Sequence, residues 1–305
     1  MRPARVVALG GGSDGVYTAL RLERLVAKGA PVDVSLVNRE NYLVFQPMLA
    51  EVVARDVRLL DTVSPVRQLL RRTRLFVREI EGVDLDRRVV MLAAGLSPRK
   101  QELAFDHLVV ALGSVTDFRG VPGLPEHALP FKTLADAVRI RNHVIHVLEQ
   151  SSVELDPDLR RTMLTFVVAG GGFSGTEVAA ALNDFVRRAV RDYRSIPQDD
   201  VRIILVHGGT SVLERELASR LATYATTALA EQGIELRLGE RLVAASPRSA
   251  GGCRAGGGSR LARSSQACRP RRTPSPGAAR AAHGAGAASV RGHLLGSRRH
   301  VTRSP

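Results

Sequence analysis

The chain has 305 residues, 44% of them hydrophobic, which is long enough for two domains with ordinary cores. Its formal charge is +14, but residues 247–305 hold twelve Arg and no Asp, Glu or Lys, so residues 1–246 carry 32 basic against 30 acidic side chains. A nearly neutral body argues against specific nucleic-acid binding. Both cysteines, Cys253 and Cys268, fall in the basic tail, which excludes a dithiol, a cysteine nucleophile or thiolate metal ligation in the body.

In chain order, residues 5–9 predict a buried strand, 14–28 a helix and 32–37 a second strand. Gly10-Gly11-Gly12-Ser13-Asp14-Gly15 stands between the first two and satisfies G-x-G-x-x-G in its required context. After an irregular stretch over 41–49, a helix is predicted at 64–71, with Ser64 as N-cap and Pro65 at the first helical position. Residues 75–80 and 88–92 read as short strands, separated by Gly82-Val83-Asp84-Leu85-Asp86, and 107–112 as a buried strand ending at Gly113. Proline and glycine cluster at 120–125, the signature of a crossover between domains. A helix over 133–150 follows, then a second unit: strand 165–169, Gly170-Gly171-Gly172-Phe173-Ser174-Gly175, helix 176–193 and strand 201–206. A helix over 214–232 and a strand over 234–238 extend it.

In each fingerprint the first glycine permits the tight turn, the second lets backbone approach a pyrophosphate, and the third allows close packing of helix on strand. The helix N-terminus then offers N–H groups and a positive dipole end to phosphates. Two such turns in one chain predict an α/β protein with two Rossmann-like, dinucleotide-binding domains.

Residues 247–305 are rich in Gly, Ala, Ser, Pro and Arg, with too little apolar surface to offset the entropy of ordering them, and are expected to be disordered. They lack aromatic residues for base stacking, and their composition is what out-of-frame translation of a GC-rich gene would produce. No run of about eighteen apolar residues exists and the N-terminus leads straight into a strand, so a cytoplasmic chain is expected. His143, His146 and Glu149 have helical spacing but read as surface side chains, with no metal site predicted. Asp156, Asp158, Asp199 and Asp200 read as loop and helix-start residues.

The two fingerprints, Asn41-Tyr42-x-x-Phe45-x-Pro47-x-Leu49, Ala111-Leu112-Gly113 and residues 117–141 resemble the type II NADH dehydrogenases, within the pyridine nucleotide oxidoreductase superfamily. That resemblance implies a glutathione-reductase-like arrangement: an FAD-binding domain beginning at 1–122, an inserted NAD(P)H-binding domain at 123–246, and the tail at 247–305. It implies FAD held by Gly10, Gly12, Gly15, Asn38, Arg39, Gln46, Pro47, Val83, Ala111 and Gly113. It places NADH, with NADPH not excluded, on Gly170, Gly172, Phe173, Gly175, Glu177 and His207. The implied reaction passes hydride from nicotinamide to flavin and electrons on to a quinone or other small acceptor, with no catalytic protein side chain required. It further implies peripheral contact with the inner face of a membrane and a homodimer.

The chain departs from the pattern where Rossmann sites commonly place an acid, since Asn38 and His207 end the second strand of each unit. Asp14 puts a carboxylate near the expected pyrophosphate unless it turns to solvent. The family's later flavin-contacting Gly-Asp motif, quinone segment and membrane-associating region are not found in 247–305. Two other readings stand beside this one: a ferredoxin-reductase-like flavin reductase, and a non-catalytic nucleotide-binding module with a basic partner-binding tail.

Overall fold

The computed structural model describes residues 2–95, 100–246, 249–254 and 257–262. The chain divides into two compact units: one holds residues up to Met48 with Arg58–Val115, the other Leu49–Val57 with residues from Thr116 onward.

The first unit opens with β1 (Ala4–Leu9), α1 (Ser13–Val26), β2 (Val32–Asn38) and β3 (Tyr42–Val44). The chain then contributes α2 (Leu49–Ala54) to the other unit and returns with β4 (Val63–Pro65) and α3 (Val66–Leu69). Ser64 therefore lies in a short strand, and Pro65, in extended backbone, is the residue that caps α3. The predicted helix over 64–71 shrinks to four residues because 63–65 pair with Tyr42–Val44. Strands β5 (Arg74–Val77), β6 (Ile80–Asp84), β7 (Val89–Leu92), β8 (Gln101–Ala104) and β9 (His107–Val110) complete it.

The parallel order β5-β2-β1-β9 has one face covered by α1 and the other by the antiparallel β6-β7-β8. Strand alternation assigns the two cores. Ala8, Val34 and Leu36 pack with Val16 and Ala19 of α1, while Val7, Leu9 and Val37 pack with Val90, Leu92 and Phe105.

The second unit continues with α4 (Leu124–His127), α5 (Leu134–Ser152), α6 (Pro157–Met163), β10 (Thr165–Ala169), α7 (Phe173–Val190), β11 (Arg202–His207), α8 (Ser219–Glu231) and β12 (Glu235–Leu238). Thr133 and Asp136 form a reciprocal capping box on α5. Behind that cap, Ala137, Ile140, Val144, Val147 and Leu148 form a buried stripe. β10, β11 and β12 form a parallel sheet.

An antiparallel meander follows: β13 (Glu240–Ser246), β14 (Ser249–Arg254) and β15 (Gly257–Ala262). Two strands thus lie inside the segment expected to be disordered from residue 247. Their pairing is written in backbone hydrogen bonds and not in an apolar alternation, so composition concealed them. Residues 263–305 lie outside the described residues.

Candidate functional site

At the end of β1, Gly10 takes the left-handed conformation, with φ +103°. Its N–H donates to Val37 O at 2.8 Å, and a Cβ on it would lie 2.1 Å from Ala111 O. Gly15 is equally constrained, since a Cβ there would lie 1.8 Å from Gly10 O. Gly12 is the opposite case: an added Cβ meets nothing within 4 Å. The three glycines therefore divide as the turn demands, two forced by backbone contact and one facing open space at the start of α1. Asn38 holds the fourth corner, with Oδ1 accepting from Gly11 N–H at 2.9 Å and Nδ2 donating to Glu40 O at 2.9 Å.

The second turn repeats the first. Gly170 has φ +111° and donates to Val206 O at 2.8 Å. Gly171 N–H donates to His207 Nδ1 at 3.1 Å, the place that Asn38 Oδ1 takes in the first unit. Since Nδ1 accepts, the imidazole is the neutral form with its proton on Nε2. Burial keeps its pKa below the ordinary histidine value, against an upward pull from Glu214 and Glu216. Neither α1 nor α7 has a side-chain cap, so the donors of both first turns are left for an anion.

A cavity of about 360 Å³ opens at the second turn. Gly170 and Gly172 line it together with His207, Glu214, Arg215 and Arg241. Glu177 stands on α7 one turn beyond Phe173, which is 42% exposed. Its carboxyl is pushed up, first by desolvation and then by the Glu51 carboxylate.

The structure thus brings Gly10, Gly12, Gly15, Asn38 and Ala111 to one turn, and Gly170, Gly172, Gly175 and His207 to the other. Asp14 is exposed in the first turn of α1, its carboxylate on the solvent side. Gly113 follows Ala111 by two residues, with φ +72°. Arg39 is exposed and pairs with Glu79 at 3.8 Å. Gln46 and Pro47 sit on a short 3-10 turn with exposed side chains, and Val83 packs in the core beneath β1 and β2. His143 is less exposed than expected, and burial, then His146 and Arg139, lower its pKa. Asp200 is buried and accepts from Arg160 Nε at 2.8 Å and Arg161 Nε at 2.9 Å, a structural ion pair. Glu214, which the sequence predicts as the start of the helix over 214–232, lies instead in a loop seven residues past the end of β11, and α8 begins only at Ser219.

The model of the pyridine nucleotide-disulphide oxidoreductase family matches residues 4–260. The chain belongs to that family. Within it, the chain is 35% identical over 183 residues to the demethylphylloquinone reductase NdbB of Synechocystis sp., covering 59% of this chain and 43% of that protein. It is 32% identical over 253 residues to the external alternative NAD(P)H-ubiquinone oxidoreductase B1 of Solanum tuberosum mitochondria, covering 79% of this chain and 43% of the relative. In fold it is similar to NDH2 of Plasmodium falciparum solved in complex with NADH, with a TM-score of 0.79 at 20% identity, covering 87% of this chain and 54% of that one. This member of the pyridine nucleotide-disulphide oxidoreductase family therefore spans about half the length of the relatives it matches. Among its described residues no helix is long and apolar enough to cross a membrane.

Proposed function

We propose that this chain is the dinucleotide-binding part of an FAD-dependent NAD(P)H dehydrogenase of the type II kind. The observation that carries the reading is the recurrence of one turn geometry: a left-handed glycine, an uncapped helix start, and a strand-end side chain accepting from the middle glycine. The first turn fits a pyrophosphate, because Gly12 leaves open space at the uncapped start of α1 while Gly10 and Gly15 admit no side chain, and the second turn repeats its left-handed glycine and uncapped helix start.

In this reading residues 1–122 begin the FAD domain and 123–246 form the NAD(P)H domain. Gly10, Gly12, Gly15, Ala111 and Gly113 cradle the FAD pyrophosphate, Arg39 and Val83 lie toward the adenosine, and Gln46 and Pro47 toward the flavin ring. Gly170, Gly172, Phe173, Gly175 and Glu177 hold the nicotinamide dinucleotide. Asn38 and His207 act as positioning residues, each holding the middle glycine of its turn.

When bound, the two cofactors supply hydride transfer from nicotinamide to flavin and onward reduction of a quinone-type acceptor. The protein contributes position and exclusion of competing reactions. Peripheral contact with the inner membrane face and dimerisation belong to the same proposal.

The test is to purify the 305-residue chain with added FAD, then titrate it anaerobically with NADH. Retained flavin absorbance that bleaches on NADH addition is expected. A folded chain that retains no flavin and binds no NADH overturns the reading.

A further inference from the structure

We propose that Glu214 supplies the carboxylate that accepts the adenosine ribose hydroxyls of the nicotinamide dinucleotide, and that it makes the site select NADH over NADPH. This rests on the reading of the second glycine turn as a nicotinamide dinucleotide site. An acid that accepts from the ribose 2′-hydroxyl normally ends the second strand of such a unit. Here that position is His207, and its ring is committed elsewhere: Nδ1 holds Gly171 N–H, and the side chain is only 14% exposed.

The loop that follows β11 brings a carboxylate back to the same place. Leu213 N–H donates to Gly171 O at 2.7 Å, so Gly171 is gripped on both its amide groups, by His207 and by this loop. Leu213 has φ +55°, a left-handed conformation that leucine rarely adopts and that persists only where surrounding contacts impose it. Those contacts are present. Leu213 and Val212 are buried, and Val212 N–H donates to Thr226 Oγ1 of α8 at 3.2 Å. The residue delivered next is Glu214.

Its Oε2 accepts from Thr210 N–H at 2.9 Å, Thr210 Oγ1 at 3.2 Å and Ser211 N–H at 3.4 Å. Oε1 is directed the other way, 3.9 Å from His207 Nε2 and close enough to Gly209 that a Cβ there would lie 2.0 Å from it. A side chain at Gly209 would have to displace that carboxylate. The backbone donation from Thr210, followed by that from Ser211, keeps the carboxyl below its ordinary range, so the group is an anion at neutral pH.

Glu214 and the pyrophosphate-facing glycines Gly170 and Gly172 line one cavity. A fixed anion there accepts from ribose hydroxyls and repels a 2′-phosphate. Asp117, Glu216 and Glu240 also line the cavity, and the opposing charges are Arg119, Arg215 and Arg241, all exposed, with the Arg241 stem lying across Gly208. Were they to dominate, the site would favour NADPH, so the preference is a measurable contest between named side chains.

The experiment measures NADH and NADPH binding to the full 305-residue chain by calorimetry, independently of turnover, for the wild type, Glu214→Gln, Glu214→Ser and Arg241→Gln. Expected is wild-type preference for NADH, and a loss of that preference of about tenfold or more in both Glu214 variants, the scale of a charge-assisted hydrogen bond. Arg241→Gln removes one of the opposing charges and should strengthen the preference for NADH. A wild type that prefers NADPH, or Glu214 variants that keep the wild-type ratio, overturns the assignment while leaving the dinucleotide site standing. Folded protein that binds neither nucleotide overturns the site and the assignment together.

Discussion

At Gly12 and Gly15 one residue type serves two different ends, and substitution separates them. Gly15→Ala drives a methyl into the Gly10 carbonyl, a backbone atom that cannot swing aside. A loss of about 1–3 kcal/mol of stability is expected, read from urea unfolding. Gly12→Ala enters open space at an extended N-cap and should cost less than about 1 kcal/mol, yet it fills the room proposed for a pyrophosphate. Flavin content should therefore fall in both variants, while the unfolding midpoint falls markedly only in Gly15→Ala. His207 adds a pH dependence. Its folded pKa lies below the ordinary value of 6.5, so its contribution to stability is intact above that value and declines as pH falls through it, the unfolded chain taking the proton first. His143 is depressed as well and acts in the same direction. His207→Asn copies the side chain that holds the first turn, and should flatten part of the acid limb of unfolding free energy against pH.

Among the elements, α6 owes its place to one buried carboxylate. Asp200 is desolvated, which raises its pKa, but hydrogen bonds from Arg160 and Arg161 outweigh burial and hold it below the ordinary aspartate value of 3.8. Its contribution is therefore complete above that value and lost as pH drops below it. Asp200→Ala leaves Arg160, 17% exposed, without its partner, and a loss of about 3 kcal/mol or more is expected by urea unfolding. The elements legible in the sequence were those whose side chains declare their surroundings. β1, β10 and β11 carry continuous apolar runs over residues 6–9, 166–169 and 203–206, and β10 lies where its run predicts it, whereas Asp33 and Ser35 interrupt β2. Gln101–Ala104 is a polar edge strand, and β14 and β15 are glycine-rich, so neither carries a period. Ser64 and Pro65 imitate a helix start, but pairing with β3 overrode local preference. The glycine cradles could be read from spacing, whereas the carboxylate of Glu214 is brought to the turn by a strained loop that leaves no periodic trace.

For the whole molecule, β9 stands at the edge of its sheet among the described residues, and Val110 there is 67% exposed. Leu112 and Val115 beyond it are 59% and 85% exposed. An apolar sheet edge invites pairing with another chain. Val110→Lys should reduce the large species seen by light scattering while leaving the unfolding midpoint in place. The other feature that governs the whole is α2. Its Val52 and Val53 are buried, and it packs on α5 and α7 although its flanking residues, up to Met48 and from Arg58, belong to the other unit. During synthesis this apolar helix leaves the ribosome well before either partner exists. The early portion of the chain therefore emerges with a hydrophobic segment awaiting its neighbours, and neither unit can be produced by cutting the gene once.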